Sequence, residues 1–341
     1  MSKTFRPWDV DQVWLLPPSV QDLVPPGHVA HFVRDTVRTG LDLSAIMDAY
    51  DEERGFPPYH PGMMVALLLY AYSQGIYSSR RIARGCEERL DFAAVTGMQR
   101  PDFRTISEFR KAALEAEAKA AAETKAASKP DDDGSGDGGR GRPGRKSKPV
   151  TAEPSDKAQR NFTDPDSRVM PTKNGFIQGY NAQAAVDGAH QIIVAHTLTN
   201  SPSDQAQLAP LLDAIKANLG TNPDEASADA GYCSQANLRT LVRRRIEGYV
   251  ATGRQKHGTK AATAKRKLKS GTLIARMSTK LKRAGYRSRY RLRKQIVEPV
   301  FGQIKQARGF RQFLLRGIDK VKAEWAMICT AHNLTKLAAA R

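Results

Sequence analysis

The sequence predicts a helical N-terminal domain followed by an α/β domain, and three observations support this division. Apolar residues recur at helical spacing between residues 14 and 111, as at Val29 and Val33. Residues 130–154 contain almost no apolar side chains to bury, which is typical of a disordered linker. Between residues 179 and 251 the pattern changes to strand, strand, helix, strand, helix, strand, and this alternation indicates an α/β fold.

Helix boundaries in the N-terminal domain, residues 1–111, follow from proline, glycine and capping residues. A proline-rich stretch at residues 57–61 precedes an apolar helix that ends at Gly75. Thr105 and Glu108 have the spacing of a capping box, which predicts a helix start at Thr105.

Two short helices with arginine-rich starts, joined by a turn near Gly97, suggest a helix-turn-helix in the same domain. In such a motif the second helix lies in the major groove of DNA. A plain helical packing or dimerisation domain accounts for the same pattern. The residues that would contact DNA are Arg104, Ser107, Arg110 and Lys111.

Residues 112–160 connect this domain to the α/β domain, which occupies residues 161–341. The connection begins as an Ala-rich helix and continues as the linker. In the α/β domain, two strands are expected to meet at the turn dipeptide Asp187-Gly188, and a later strand ends at Asp229. The predicted strands lie at about residues 179–187, 191–196, 225–228 and 247–251, and the helices at about 208–219 and 234–244, the second capped by Ser234.

Positive charge is concentrated in the last third of the chain. The formal net charge of the 341 residues is +19, and residues 239–322 contain 26 Lys and Arg against only Glu247, Glu298 and Asp319. A surface of this sign and density releases counterions from a phosphate backbone and favours nucleic acid over small apolar ligands. Duplex DNA and RNA are both open at this point. Half of these basic residues lie in an insertion at about residues 253–289.

Cysteine usage and the charged N-terminus predict a cytoplasmic protein. Cys86, Cys233 and Cys329 are far apart and form no Cys-x-x-Cys pair, which argues against a disulfide framework or a zinc site. The N-terminal residues lack the apolar core of a signal peptide, and the longest apolar run, at about residues 63–72, is too short to span a bilayer. We therefore expect a soluble protein of a reducing compartment with no membrane partner.

Asp229 is the first candidate for a functional carboxylate. It lies in the sequence Ala-Asp-Ala-Gly-Tyr, where a strand gives way to Gly231. Side chains at the carboxyl ends of strands in an open α/β sheet face the ligand crevice. A turn aspartate that only satisfies the local backbone would have the same surroundings in the sequence.

Glu298 is the second candidate, and it lies within a basic run at residues 290–305. Glu298 and Lys305 are seven residues apart and would project from the same face of a helix. Pro299 predicts that Glu298 lies near the helix start, where proline is tolerated. An acidic residue among basic neighbours could hold a metal ion while those neighbours bind DNA phosphates. A surface helix with ordinary ion pairs is the alternative.

Several stretches of the chain, taken in order, resemble the bacterial insertion-sequence transposases of the Asp-Asp-Glu type, in the branch with a Tyr…Arg…Glu…Lys signature. Tyr290 and Arg293 have the mutual spacing of that signature, although Lys294 occupies the position expected for its arginine. The resemblance covers nearly the whole chain. The matching stretches are residues 105–110, 161–168, 179–183, 229–232 and 290–317.

The resemblance implies a ribonuclease-H-like α/β catalytic domain that cuts and rejoins DNA by phosphoryl transfer with two Mg²⁺ ions. Asp229 corresponds to the second catalytic carboxylate and Glu298 to the third, and both would be metal ligands. The implied partners are double-stranded DNA with the inverted-repeat ends of a transposon and a second copy of the chain in a homodimer, at the bacterial nucleoid. The implied DNA contacts in this region are Tyr290, Arg291, Arg293, Lys294, Lys305, Arg308 and Arg311.

The first catalytic aspartate of the family, on the first and central strand of the sheet, has no counterpart in this sequence. All acidic residues between positions 112 and 157 lie in the Ala-rich helix or the linker, and none follows an apolar strand. Asp187 ends a predicted strand but is a weak substitute, because an Asp-Gly pair usually forms a turn. We therefore expect a domain without its central strand, in which DNA binding persists and catalysis is lost or impaired. The alternative is a non-catalytic remnant that inhibits a full-length transposase.

Overall fold

The structure, a computed structural model, describes residues 19–48, 58–127, 161–172, 175–253, 271–284 and 293–340. Contacts within the chain divide it into two units, Met1–Arg110 with Leu337–Arg341, and Lys111–Lys336. All of the predicted linker at residues 130–154 lies outside the described residues, as do Tyr290, Arg291 and most of the basic insertion.

All regular secondary structure in the described part of the first unit is helical. A 3₁₀ helix, Val20–Leu23, comes first, and the α-helices that begin in the unit are α1 (Val29–Gly40), α2 (Ser44–Met47), α3 (Pro61–Ser73), α4 (Ser79–Glu88), α5 (Leu90–Thr96) and α6 (Phe103–Ala127). α3 is apolar on all sides and is therefore the buried centre of the unit, with Leu67, Tyr70 and Tyr72 fully enclosed. Pro61 occupies the first turn of α3, and Gly75 adopts a left-handed conformation just after its end, so the predicted boundaries are confirmed.

The start of α6 differs from the predicted capping box at Thr105. The helix begins at Phe103 and Asp102 caps it, because the Asp102 carboxylate accepts hydrogen bonds from the backbone N–H groups of Arg104 at 2.7 Å and Thr105 at 3.0 Å. A carboxylate is favoured at this position since its negative charge faces the positive end of the helix. α5 also lies between α4 and α6, so a description of two helices joined by a single turn was wrong.

The described strands of the second unit form three two-stranded sheets. The strands are β1 (Arg168–Thr172), β2 (Gly175–Gly179), β3 (Asn181–Val186), β4 (Ile193–Thr199), β5 (Glu225–Ala228) and β6 (Glu247–Val250). β3 and β4 pair antiparallel, which confirms the hairpin expected at Asp187-Gly188, and β5 pairs in parallel with β6. The antiparallel β1–β2 hairpin was not predicted, because four of the five β2 residues are exposed and leave no alternating apolar pattern.

One hydrophobic core joins two helices to the strand pairs β3–β4 and β5–β6. The helices are α7 (Leu208–Leu219) and α8 (Gln235–Arg243). Leu212 of α7, Leu241 of α8 and Val250 of β6 are buried together with Ala195 of β4. Gly220 ends α7 in a left-handed conformation, and the Ser234 hydroxyl caps α8, as predicted.

Three further helices complete the described part of the chain, namely α9 (Leu273–Ala284), α10 (Arg293–Gly302) and α11 (Ile318–Ala339). The start of α11 is held by the stretch at residues 161–168. Asp166 accepts a hydrogen bond from the backbone N–H of Ile318 at 3.0 Å, and Asp164 accepts one from Gly317 at 3.2 Å. These carboxylates cap the helix from a distant part of the sequence. None of the described helices combines the length and the apolar character that crossing a membrane requires.

Candidate active site and nucleic-acid interface

Asp229 follows the last residue of β5 and begins a short 3₁₀ turn, Ala230–Tyr232, so its predicted position at a strand end is confirmed. Its side chain is exposed. Tyr232 has a raised pKa because its ring is partly buried and because the negative charges of Asp204 and Asp229 act on its hydroxyl. Two carboxylates and one phenol therefore share this end of β5.

Asp204 is a member of this cluster that sequence reasoning missed. Its Oδ1 accepts hydrogen bonds from the side-chain amides of Asn181 at 2.7 Å and Gln183 at 2.9 Å, both on β3. A Cβ atom at residue 231 would collide with Asp204 Oδ2, so only glycine at this position lets the carboxylate approach the chain. The signal in the sequence was the pair of amides two residues apart on one face of a strand, since buried amides need an acceptor.

A series of side-chain contacts connects this cluster to the helix that carries Glu298. The backbone carbonyl of Gln183 accepts a hydrogen bond from the indole N–H of Trp325 at 3.1 Å. The Trp325 ring stacks on Phe301 of α10, with centroids 6.1 Å apart and planes inclined by 11°. The ammonium group of Lys305 lies 5.2 Å from the centroid of the same Phe301 ring. Packing thus fixes α10 relative to β3.

Glu298 is exposed and lies in the interior of α10, which begins at Arg293. The prediction that Pro299 marks a helix start is therefore wrong, because this proline lies inside the helix and removes one backbone donor there. The chain continues as a π-helical segment, Gln303–Ala307, which contains Lys305. A π-helical turn holds more residues than an α-helical turn, so seven residues no longer correspond to two turns between Glu298 and Lys305.

Asp187 acts as a turn residue in the hairpin between β3 and β4. Its Oδ2 accepts hydrogen bonds from the backbone N–H groups of His190 at 2.7 Å and Ala189 at 3.1 Å. The hydrogen bond from His190 is the main reason why the pKa of Asp187 is lowered. The carboxylate is committed to the turn, and the structure gives no support to Asp187 as a substitute catalytic aspartate.

The basic residues predicted to bind DNA near α10 divide into two groups. The exposed ones are Lys294, Lys305 and Arg311. Arg308 instead turns inward: its Nη1 lies 3.2 Å from Nδ1 of His332, which is fully buried, and burial lowers the pKa of Arg308. This placement does not favour a phosphate contact by Arg308, whose role in DNA binding stays a prediction. The backbone of Arg293 begins α10, while its side chain lies outside the part that the structure describes.

The residues of α6 that were predicted to contact DNA also divide into exposed and buried ones. Arg104 and Lys111 are exposed, and Ser107 is half-buried. Arg110 is only 6% exposed, and its Nη1 donates a hydrogen bond to the backbone carbonyl of Tyr77 at 2.8 Å. A guanidinium held in this way supports the fold and does not favour a phosphate contact, and the role of Arg110 in DNA binding stays a prediction.

Comparison of the sequence with models of known protein families identifies the family of this chain. Residues 147–334, more than half of the chain, match the family model described as Transposase DDE domain. The chain belongs to the DDE transposase family. Residues 18–112 of this transposase match a second family model, Transposase domain (DUF772). No curated protein and no solved structure gives a match. The resemblance to insertion-sequence transposases of the Asp-Asp-Glu type is confirmed.

The described residues of this transposase do not assemble the metal centre that the family implies. Within the described ranges, no three His, Cys, Asp or Glu side chains come together in an arrangement that could hold a metal ion. Asp204 lies near Asp229, but two amide donors already occupy its Oδ1. A pair of Mg²⁺ ions needs several oxygen ligands, including carboxylates that bridge or flank the ions. The residues that the structure describes therefore do not fit a two-metal site.

Proposed function

We propose that this transposase-family chain binds double-stranded DNA at the inverted-repeat ends of a transposon, in the nucleoid of a bacterial cell. The observation that carries the proposal is the exposure of Lys294, Lys305 and Arg311 on and after α10, within a segment of 26 basic and three acidic residues. Each contact between such a cation and a phosphate releases counterions, so binding should weaken steeply with salt. Membership of the transposase family supports DNA over RNA as the partner.

We propose a division of this chain into a helical domain at residues 1–111, a connection at 112–160 and a ribonuclease-H-like domain at 161–341 that lacks its central strand. The strand pairing supports the last point. Among the described strands β3 pairs only with β4 and β5 only with β6, although both pairs pack on one hydrophobic core. A central strand between β3 and β5 would join the pairs and satisfy their outer backbone groups.

We propose that DNA cleavage and strand transfer are lost or strongly impaired in this chain. The family resemblance assigns Asp229 and Glu298 as the second and third catalytic carboxylates, and among the described residues no three His, Cys, Asp or Glu side chains lie in an arrangement that could hold a metal ion. When bound, the two Mg²⁺ ions of the family activate the attacking hydroxyl and stabilise the leaving oxygen. Loss of a bridging carboxylate should slow this chemistry by orders of magnitude while leaving the basic surface unchanged.

A non-catalytic inhibitor of a full-length transposase is the second candidate function. The same two observations favour it: basic side chains are exposed on and after α10, and the described carboxylates do not form a metal site. Such a chain would occupy transposon ends without cutting them. If it forms the homodimer that the family implies, it would also enter mixed dimers with an active relative.

Binding and catalysis are tested separately on the purified full chain. Fluorescence anisotropy with a duplex taken from the flanks of the gene should show salt-sensitive association, and no association would refute DNA binding. A strand-transfer assay with Mg²⁺ and the same duplex should give no product. A Mg²⁺-dependent product that disappears in Asp229→Ala would refute catalytic loss. The inhibitor function predicts that adding the chain to an active relative lowers that relative's product.

A further inference from the structure

Two arginines converge on one exposed aromatic ring at the start of α6. Phe103, the first residue of that helix, is 38% exposed although its side chain is large and apolar. The Cζ atom of Arg80, from the first turn of α4, lies 5.2 Å from the ring centroid, and that of Arg104 lies 5.7 Å from it. Both arginines are exposed. We call these three residues the arginine clamp.

The guanidinium groups of the clamp keep their donors available. A guanidinium stacked on a ring uses its flat face, and its N–H groups remain in the plane for other partners. Within the described part of the chain, neither Arg80 nor Arg104 has a side-chain hydrogen bond or an ion pair. The nearby Asp102 carboxylate is engaged mainly by Thr105, whose backbone N–H and hydroxyl lower its pKa, while the charge of Arg104 has the smallest effect.

Two nearby arginines, Arg84 of α4 and Arg89 immediately after it, are neutralised by acidic residues. Arg89 also stacks on a ring, 4.9 Å from the centroid of Phe92, but its Nε donates to Asp91 at 3.0 Å. Arg84, one turn after Arg80 on α4, pairs with Glu88 at 2.7 Å. The clamp differs from both because its two arginines lie over an aromatic ring and neither forms an ion pair or side-chain hydrogen bond among the described residues.

We propose that the arginine clamp binds backbone phosphates of duplex DNA, a proposal that rests on the DNA binding proposed above. Arginine is suited to phosphate because its planar fork can donate two parallel hydrogen bonds to phosphate oxygens. Phe103 acts as a positioning residue, since stacking orders both side chains before DNA arrives and so lowers the entropy lost on binding. A contact of this kind fixes the position of the duplex and reads no base sequence.

Salt dependence of binding tests the two arginines. The full chain is titrated against a fluorescein-labelled duplex of mixed sequence at several KCl concentrations. Arg80→Gln and Arg104→Gln should each reduce the slope of log K against log salt by about 0.9, and weaken binding about tenfold at roughly 0.1 M salt. Arg84→Gln is the matched control, because it removes one exposed but neutralised arginine from the same helix. Equal slopes for Arg80→Gln, Arg104→Gln and the control would refute the clamp.

A double-mutant cycle tests the positioning role of Phe103. Phe103→Leu keeps both charges and an apolar side chain, so it should weaken binding several-fold and shrink the effect of Arg80→Gln made in the same chain. If Arg80→Gln weakens binding as much in the Phe103→Leu chain as in the unmodified chain, the positioning role of the ring is refuted. A thermal unfolding curve of each variant confirms that it is folded. If the unmodified chain binds no duplex, the proposed function itself fails; if it binds normally and the clamp variants do not differ from the control, only the clamp fails.

Discussion

The side-chain amide of Gln191 donates a hydrogen bond to the backbone carbonyl of Gln295, with the two atoms 3.0 Å apart. In an uninterrupted α-helix that carbonyl would accept from the residue four positions later, but Pro299 has no N–H to donate. Gln191 lies between β3 and β4 with a left-handed backbone, φ 60°. Its amide oxygen accepts from the Lys336 ammonium at 2.9 Å. One hairpin residue therefore completes the hydrogen bonding of the helix that carries Glu298.

Gln191→Ala should lower the free energy of unfolding by about 0.5–1.5 kcal/mol, because the Gln295 carbonyl loses its donor. In a Pro299→Ala background the penalty should shrink, since the restored backbone N–H can donate to the same carbonyl. Denaturant unfolding of the four chains measures this coupling. His190→Ala, an exposed neighbour in the same turn, should change stability by less than about 0.5 kcal/mol. A penalty that is equal in both backgrounds would contradict the compensation.

Gly231→Ala should destabilise the chain by about 1–3 kcal/mol, because the added methyl group collides with the Asp204 carboxylate. The penalty should fall when Asp204→Ala is made in the same chain, since the colliding atoms are then absent. Gly179→Ala is the control, because its added Cβ would meet only the tip of Ile177 at 4.0 Å. Thermal unfolding checks the prediction, and additive effects of the two substitutions would show that the collision is relieved in another way.

Stability should fall on acidification through the titration of His332. The residue is fully buried, and burial is the main cause that holds its pKa below the ordinary 6.5. The hydrogen bond to the Gln191 carbonyl raises the pKa, and the charges of Arg308 and Lys336 lower it, each by less than burial does. Below pH 6.5 the unfolded chain binds a proton that the folded chain binds less readily, so the free energy of unfolding decreases as pH falls from 6.5 toward the folded pKa. Above 6.5 this contribution to stability is complete.

Over this pH range, the thermal stability of His332→Gln should depend on pH less strongly than that of the unmodified chain. Some dependence should remain, because burial also lowers the pKa of His196 and acts with the same sign. An identical pH profile for His332→Gln and the unmodified chain would rule out His332 as a source.

Lys305→Gln and Arg308→Gln should have opposite consequences although both remove one positive charge near α10. Lys305 is exposed, so its loss should reduce the salt slope of duplex binding by about 0.9. Arg308 faces the buried His332, so its loss should lower stability and leave the slope unchanged. Anisotropy titrations and thermal unfolding of both variants distinguish these effects. A lower slope for Arg308→Gln would show that its side chain turns outward on DNA.

Local sequence signals predicted many of the elements. These signals are the helical spacing of Leu208, Leu211 and Leu212, the glycine at position 220 and the capping serine at position 234. Each signal lies within one or two helical turns, so a short stretch of sequence contains all of it. The β1–β2 hairpin was missed because its exposed strand has no apolar period. The start of α6 was misplaced because two capping signals overlap and the aspartate prevails.

By itself the sequence determined the transposase family, the strand end at Asp229 and the concentration of basic residues near α10. Only the tertiary structure decided which of the described basic side chains face outward and which carboxylate accompanies Asp229. Arg110 is held by a carbonyl 33 residues away and Arg308 by a histidine 24 residues away. The burial of a side chain depends on residues that are distant in sequence and that packing brings into contact with it. The spacing of apolar residues in a short stretch of sequence does not reveal these contacts. The amides at Asn181 and Gln183 indicate in the sequence that an acceptor is needed, but only the fold shows that the acceptor is Asp204, 23 and 21 residues later.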